Sequence, residues 1–537
     1  MKIMVEEFCN MALELVEGIS SYSQLKDHQS RMIEKIVEKS KKTPIYRDRI
    51  TEIKDVEELP ELPLTFYEDI KRRMDLFGVE NCLLAPYKVK IQTAGSTGIP
   101  KQFYYGKQDL EKFAFIGARC GYFFGLKKGD IGWSLTAPPP YISGLLISLG
   151  ARKIGCNLID TPITSGKELI KGLKKISKVN GSIRGMYGFP SILISVAEIS
   201  NNPTNFKNRI REKITEKIGS NFLSHIFYLF YTSGINFEKI KHIIENVEIV
   251  ISAGEPLPPY KDKLKSFFTN AKLFDAYGSS ELGIGMIKLL EDGFLHPMLD
   301  WFIPEIADPL DIRRVKVQPN YEIKSIPWWE WYKGLKGELI ITRDGECLPL
   351  IRYPTGDLVE VVDPAKNISL NINGATFQFV LPEVKILGRS VEVIPPDISE
   401  DEMLTYSIAR IYPSEIKLEV SKSGIEVLHH NLFIYSPCKS RPFPRWRLEI
   451  IPKEEVSNKE ELEKEIKNRL IEKTEIKEAY EPLSLSYSKE FIEGLFEVKI
   501  LTPDAYKEIE NEIEKRVAEG KPLGQLKPKH IHFVKEE

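Results

Sequence analysis

A strand–loop–helix rhythm recurs through the first half of this chain, and it limits the fold more than any other feature. Ile183 to Phe189 is an apolar run that reads as a buried strand, leading through Pro190 and Ser191 into a helix. The rhythm returns at Val247 to Tyr260 and again at Lys272 to Glu281. Such alternation predicts an α/β domain with helices layered on a largely parallel sheet. Lys167 to Lys178 fits as one of its helices, since Leu169, Leu173 and Ile176 share a face, and Asp109 to Gly125 reads as another. Ligands of these sheets sit beyond the carboxyl ends of the strands. The glycine-bearing loops at 95–98, 252–256 and 277–283 are therefore expected to open together there.

The first loop, Thr93-Ala94-Gly95-Ser96-Thr97-Gly98-Ile99-Pro100-Lys101, follows a strand-like run, Val89 to Gln92. Glycines let backbone turn tightly and approach a ligand. Successive N–H groups in such a turn form an anion site. Thr93, Ser96 and Thr97 add hydroxyls, and Lys101 adds a mobile cation. The set suits a polyphosphate, although a polar surface turn has the same composition. It differs from the common nucleotide loop, because Pro100 stands where a glycine must precede the lysine.

Other turns carry chemistry of their own. In Ser252-Ala253-Gly254-Glu255-Pro256-Leu257 the small residues let a flat ring lie against backbone, or simply make a strand-to-helix turn. In Asp275-Ala276-Tyr277-Gly278-Ser279-Ser280-Glu281, Tyr277 can stack on a base and Glu281 can hold a hard cation such as Mg²⁺. The alternative is a helix start capped by Ser279 or Ser280. Tyr353-Pro354-Thr355-Gly356-Asp357 ends in a carboxylate able to accept two ribose hydroxyls, or is a hairpin turn. Gly388-Arg389-Ser390 reads as a flexible joint bearing a charge for phosphate or ribose.

Length and charge bound the function classes. A chain of 537 residues predicts two or three domains. With 42% hydrophobic and 28% charged residues it has the composition of a soluble globular protein. A net charge of −2 gives no electrostatic case for nucleic acid or an acidic membrane. Residues 1–20 carry Glu6, Glu7, Glu14 and Glu17 and lack the layout of a signal peptide, and the apolar run Ile226 to Ile235 is too short to span a bilayer. Six cysteines without CxxC spacing argue against a zinc site or disulfide framework and for a reducing cytoplasm. The eight histidines form no ligand-spaced set, and His429-His430 reads as structural.

Residues 1–60 read as helical and charged. Trp133 to Tyr141, ending in three prolines, reads as an irregular loop. From about residue 310 the pattern turns antiparallel, with strands expected at Gly337 to Thr342, Cys347 to Tyr353 and Asp357 to Val362. Past the Gly388 joint a domain boundary is expected. Two helices follow, one with Leu462, Ile466 and Leu470 on its face and one with Tyr506, Ile509, Ile513 and Val517.

Taken in order, the segments Thr93–Lys101, Tyr277–Glu281, Tyr353–Asp357 and Gly388–Arg389 resemble the phosphate loop, aromatic-Gly-x-Ser/Thr-Glu motif, ribose motif and hinge of the adenylate-forming superfamily: acyl-CoA synthetases, luciferases and peptide-synthetase adenylation domains. The resemblance covers about residues 60–395. Leu62-Pro63-Leu64-Thr65, Gly254-Glu255-Pro256-Leu257 and Asp292 to His296 resemble the phenylacetate-CoA ligase branch. The C-terminal part, with Gly524-Gln525-Leu526-Lys527-Pro528-Lys529, is more similar to plant acyl-acid amidosynthetases, and Ser390 stands where the hinge acid usually does.

The resemblance implies a large nucleotide- and acid-binding domain over 1–388, with layered sheets and a β-rich subdomain, and a small mobile α+β domain over 389–537. It implies ATP-dependent activation of a carboxylic acid as its adenylate, then transfer to the thiol of coenzyme A. An amine acceptor is the alternative, and a non-catalytic nucleotide-binding regulator is a third reading. By the same resemblance, Gly95, Ser96, Thr97, Gly98 and Lys101 hold the β and γ phosphates and Glu281 ligates Mg²⁺. Gly254, Glu255 and Tyr277 frame the adenine and Asp357 the ribose, with Pro256 and Asp275 also among the cofactor-binding residues. Arg389 sits near the ribose or α-phosphate, and Lys527, with Lys521 and Lys529 as rivals, reaches in from the small domain. Trp133, Tyr141, Tyr187 and Phe189 are the residues expected around an aryl or medium-chain acyl group. The expected partners are a small carboxylic acid, ATP and coenzyme A, with a homodimer left open.

Overall fold

Strands early in the chain set up two separate sheets. β1 (Val89–Gln92) and β2 (Gln102–Tyr105) pair antiparallel as a ribbon of their own. β3 (Ile131–Ser134), β4 (Asn157–Asp160), β5 (Ile183–Gly188), β6 (Ile249–Ala253), β7 (Lys272–Ser279), β8 (Gly283–Ile287) and β9 (His296–Pro297) form a seven-stranded sheet in the order β4-β3-β5-β6-β7-β8-β9. Strands β4 to β7 of that order run parallel, and β8 and β9 are added antiparallel in turn. The computed structural model describes residues 22–93, 100–163, 166–204, 206–208, 210–211, 232–255, 257–318, 321–372, 375–390, 413–435, 445–473, 488–518 and 530–534.

Both faces of this sheet are covered, which is why β5 and β6 are near-continuous apolar runs. On one face Phe124, Tyr187, Ile251 and Phe274 pack with residues of the helices Lys107–Phe123 and Ile142–Ile154. On the other, Trp133, Met186, Val250 and Leu273 pack against the helices Gly166–Ser177, Pro190–Asn201 and Phe237–Asn246. The expected layered α/β arrangement is present. No helix among the described residues is long and apolar enough to cross a membrane.

Three local expectations are corrected. Lys272 to Glu281 is not followed by a helix: β7 turns back into β8, whose five residues are all buried and so take the next place in the sheet. Loop 93–101 does not leave the parallel sheet but joins β1 to β2. Within 22–60, the described part of the stretch expected to be helical, the helix Tyr22–Ser40 stops before Pro44, and turns lead to a short 3-10 helix, Val56–Glu61.

β10 (Phe302–Ala307), β11 (Ser325–Pro327), β12 (Lys336–Arg343), β13 (Leu350–Ile372) and β14 (Ala375–Arg389) form an antiparallel sheet in the order β11-β10-β12-β13-β14. The last two make a long hairpin that absorbs the strands expected at 347–353 and 357–362. The remaining body is a mixed sheet of β15 (Val427–Tyr435), β16 (Arg445–Pro452), β17 (Phe496–Ile500) and β18 (Ile531–Val534). Its core joins Trp446, Leu448, Ile450 and Phe496 to Ile466 and Leu470 of the helix Lys459–Lys473, and to Leu358 and Leu387 of the β13–β14 hairpin.

Charged groups stitch this body to the seven-stranded unit. Lys263 pairs with Glu198 and with Glu426, at 2.6 Å each, and Lys453 pairs with the same two carboxylates at 3.0 and 2.8 Å. Nearby, Lys417 donates to the Tyr260 hydroxyl and lies 4.4 Å from the centre of its ring.

His429 and His430 are buried, as a structural role requires, and a third imidazole completes the arrangement. His530 stacks on both, with ring centres 4.7 and 4.4 Å away. Burial pushes His530 down to about 3 and His430 well below the ordinary imidazole value, with Lys417 and the neighbouring imidazoles adding to the effect. The neutral rings are the ones that fold. Unfolded imidazoles protonate near pH 6.5, so the stability they contribute is complete above that pH. For His530 it is lost as the pH falls towards 3, by up to ~1.4 kcal/mol per pH unit. Denaturant unfolding at about pH 7.5 and about pH 5 checks this: His530→Phe flattens the slope between the two, and equal slopes in variant and parent refute it.

Candidate functional site

The described residues of the segments 93–101, 277–281 and 353–357 come together in space. β7 runs to Ser279, and its turn into β8 is tied to the β1–β2 ribbon. The Ser280 hydroxyl donates to the Gln92 carbonyl at 3.4 Å, and the Tyr105 hydroxyl donates to the Ser280 carbonyl. At the far end of the ribbon loop, the Thr93 N–H donates to the Lys101 carbonyl and the Lys101 N–H to Thr93 Oγ1, both at 2.9 Å. These two bonds close the base of the loop. Gly95, Ser96, Thr97 and Gly98 lie outside the described residues, as do Pro256 and Lys521, Lys527 and Lys529.

Lys101 reaches from this base to the β13 turn. Its Nζ donates to Tyr353 Oη at 3.0 Å and sits 5.4 Å from the Tyr353 ring centre and 5.8 Å from that of Tyr67. Asp357 joins the remaining parts. The Tyr277 hydroxyl donates to Asp357 Oδ2 at 2.8 Å, and Arg389 Nη1 lies 2.9 Å from Oδ1. The register explains the second contact, since Asp357 and Arg389 face each other across β13 and β14. A carboxylate offers about four lone-pair sites, so Asp357 retains capacity after both contacts.

Glu281 is 4% exposed within this cluster. Burial raises its carboxyl above the ordinary range; Lys101 and Arg389 pull it back and Asp357 adds to the rise. Asp357 in turn raises the Arg389 guanidinium, and burial puts the Tyr277 phenol well above its usual value. Among the described residues the buried Ser279 hydroxyl has no hydrogen-bond partner. Also among them, no group of three or more His, Cys, Asp or Glu residues is placed to hold a metal ion.

At the end of β6, Gly254 has a left-handed φ of 82°, and a Cβ there would stand 2.0 Å from the Phe189 ring. Gly254→Ala therefore combines backbone strain with a clash and destabilises by about 1–3 kcal/mol, which urea unfolding measures. The Glu255 side chain is engaged elsewhere. Its two oxygens accept the N–H and hydroxyl of Ser191, both at 3.1 Å, at the start of the helix Pro190–Asn201. Asp275, half-buried in β7 beside β6, accepts the Ser252 hydroxyl at 3.1 Å and the Ala276 N–H at 3.0 Å, and desolvation pushes it up to about 7.

Of the aromatic residues expected around an acyl group, Trp133 is placed differently. It lies in β3, not in an irregular loop, on the helix-covered face of the sheet, and its indole N–H donates to Thr161 Oγ1 at 2.6 Å. Tyr187 is buried on the opposite face, Phe189 lies against Gly254, and Tyr141 is half-buried ahead of the helix Ile142–Ile154. Sequence reasoning missed Tyr67 and Glu338. Tyr67 accepts the Gln102 N–H at 2.8 Å as well as facing Lys101. Glu338 accepts the Gly356 N–H at 3.0 Å. A carboxylate at an otherwise apolar strand position was the signal for the second.

No protein-family model matches the sequence, and no curated protein matches it. Solved structures do. 2-Hydroxyisobutyryl-CoA ligase in the postadenylation state with 2-HIB-AMP is 16% identical, with 93% of this chain and 92% of that one covered and a TM-score of 0.59. The same ligase with R3-HIB-AMP gives 15% identity, coverage of 94% for both chains and a TM-score of 0.60. Its open conformation with 2-HIB-AMP and CoA gives 16% identity, 90% and 88% coverage and a TM-score of 0.52. Over nearly its whole length, the chain has the fold of 2-hydroxyisobutyryl-CoA ligase.

Proposed function

We propose that this chain is an AMP-forming acid ligase. It joins a carboxylic acid to the α-phosphorus of ATP, releases pyrophosphate and passes the acyl group to a thiol, that of coenzyme A. The observation that carries the reading is the meeting of three turns remote in sequence, through Lys101–Tyr353 and Tyr277–Asp357–Arg389. The fold supports it, being that of a ligase solved with an acyl-AMP and CoA.

Each residue has a role suited to its chemistry. The attacking carboxylate and the phosphates are both anionic, so catalysis rests on positioning and charge neutralisation. Lys101 neutralises phosphate charge on leaving Tyr353, together with the hydroxyls and backbone N–H groups of 95–98. The free lone pairs of Asp357 accept the ribose hydroxyls. The Tyr277 ring stacks on the adenine, and the Gly254 backbone borders it. Arg389 faces the ribose or α-phosphate, and Lys527 enters from the small domain.

The buried carboxylate of Glu281 fits Mg²⁺, which takes few protein ligands when phosphates and water supply the rest. When bound there, the ion supplies charge neutralisation on the phosphate oxygens. The remaining work belongs to the chain's own groups.

A panel of carboxylic acids in a pyrophosphate-release assay, with and without coenzyme A and amino acids, tests this reading. A thioester product supports it. An amide in place of a thioester makes the chain an acyl-acid amidosynthetase with the same first step. Nucleotide binding with no acid-dependent pyrophosphate release removes catalysis from the account.

A further inference from the structure

The joint Gly388-Arg389-Ser390 contains no carboxylate of its own, and the fold brings one to it. Glu338 of β12 is buried between the turn before Asp357 and the joint. Its Oε1 accepts the Gly356 N–H at 3.0 Å, and the Ser390 hydroxyl lies close enough to the same carboxyl to counter the rise that burial gives it. The Arg389 charge faces it as well. Strand register accounts for the placement: Glu338 pairs with Leu358 of β13, and Leu358 pairs with Gly388 of β14. Gly356 is enclosed from the other side, where a Cβ would stand 3.1 Å from Arg389 Nη2.

We propose that Glu338 is a positioning residue that fastens the Asp357 turn to the joint, doing through space what an acid within the joint would do. The two groups it engages belong to different parts of the mechanism. Gly356 sets the backbone that presents Asp357, and Ser390 is the first residue beyond the strand that ends at Arg389. Rotation at Gly388 withdraws Ser390 and leaves Glu338 holding Gly356 alone. The turn is thus doubly held in the orientation seen here and singly held after rotation. The consequence for turnover rests on the ligase reading above, whereas the fastening itself does not.

Trypsin cleavage after Arg389 in the intact, ligand-free protein reports opening of the joint. Ser390→Ala removes one hydroxyl beside a buried carboxyl and is expected to speed that cleavage about tenfold. Ser390→Thr, which keeps a hydroxyl, restores the parent rate. Glu338→Ala also speeds cleavage, and adding Ser390→Ala to it has no further effect, because the two act through one contact. Cleavage of Ser390→Ala at the parent rate, or multiplying effects in the double variant, overturns the proposal. Pyrophosphate exchange run alongside separates the two readings: its absence from the parent protein sinks the ligase assignment while leaving the cleavage result decisive for Glu338. With exchange present, Ser390→Ala raises the KM for ATP more than it lowers kcat, a split that loss of general stability does not produce.

Discussion

Glu281→Gln leaves the protein at least as stable at neutral pH and lowers acid-dependent pyrophosphate exchange by about 10²–10³-fold. The two halves of this result have one cause. Burial raises the Glu281 carboxyl above its ordinary value of 4.5, against the opposing pull of Lys101. The folded chain therefore keeps its proton to a higher pH than the unfolded chain does. Stability falls as the pH climbs through that interval, and the deficit persists above it. Glutamine cannot ionise, so the deficit disappears with the substitution, and so does the negative charge required for a hard cation beside phosphates. Thermal melts at about pH 7 and about pH 4 check the first half: the advantage of the glutamine variant is present at the higher pH and absent at the lower. A variant that melts lower and loses exchange makes Glu281 structural. One that keeps full exchange ends its assignment to the reaction.

The largest loss of stability is expected at Arg352, where Arg352→Ala costs about 3–5 kcal/mol in urea unfolding. Arg352 and Glu305 are both buried, with Arg352 Nε 3.2 Å from Glu305 Oε2. The other guanidinium nitrogens donate to the carbonyls of Pro60 and Leu62 and to Ser325 Oγ, and the Ser325 hydroxyl donates to Glu305 Oε1 at 2.6 Å. Truncation strands a buried carboxylate and unties the 60–62 segment in one step. The backbone adds to the loss. Arg352 has a φ of 46°, in the left-handed region that a side chain rarely adopts, and alanine keeps that strain without the contacts that hold it. Because Tyr353 follows directly, the loosened backbone is the one that presents the partner of Lys101. Replacing Arg352 and Glu305 together by methionine destabilises less than Arg352→Ala alone, since no unpaired charge remains. A cost below about 1 kcal/mol for the single variant contradicts this account.

Much of the arrangement was legible because the signals were local. β5, β6 and β7 are covered on both faces, so their apolar runs stand out, and the turns that follow carry their glycines and carboxylates in plain order. What escaped depends on pairing at a distance. The β13–β14 hairpin mixes Asn367, Asn371 and Gln378 into its strands, and no short window shows that one half matches the other. Glu338 is an ordinary strand residue until β13 and β14 fall in beside it. Trp133 has the composition of a ligand-lining aromatic, but only the twist and cover of the sheet decide which face it takes. Glu255 sits in a loop expected at the adenine, yet a helix start some sixty residues earlier takes both its oxygens. The His530 ring reaches His429 and His430 across a parallel strand pair that the sequence does not announce.

The quartet Glu198, Lys263, Glu426 and Lys453 has a consequence for how the molecule responds to its solution. All four side chains are partly solvated, so each contact is worth little, about 0–1 kcal/mol, and is weakened by dissolved ions. The greasy interiors on either side feel no such competition. Added salt therefore weakens the tie between the two bodies while leaving the apolar core of each untouched.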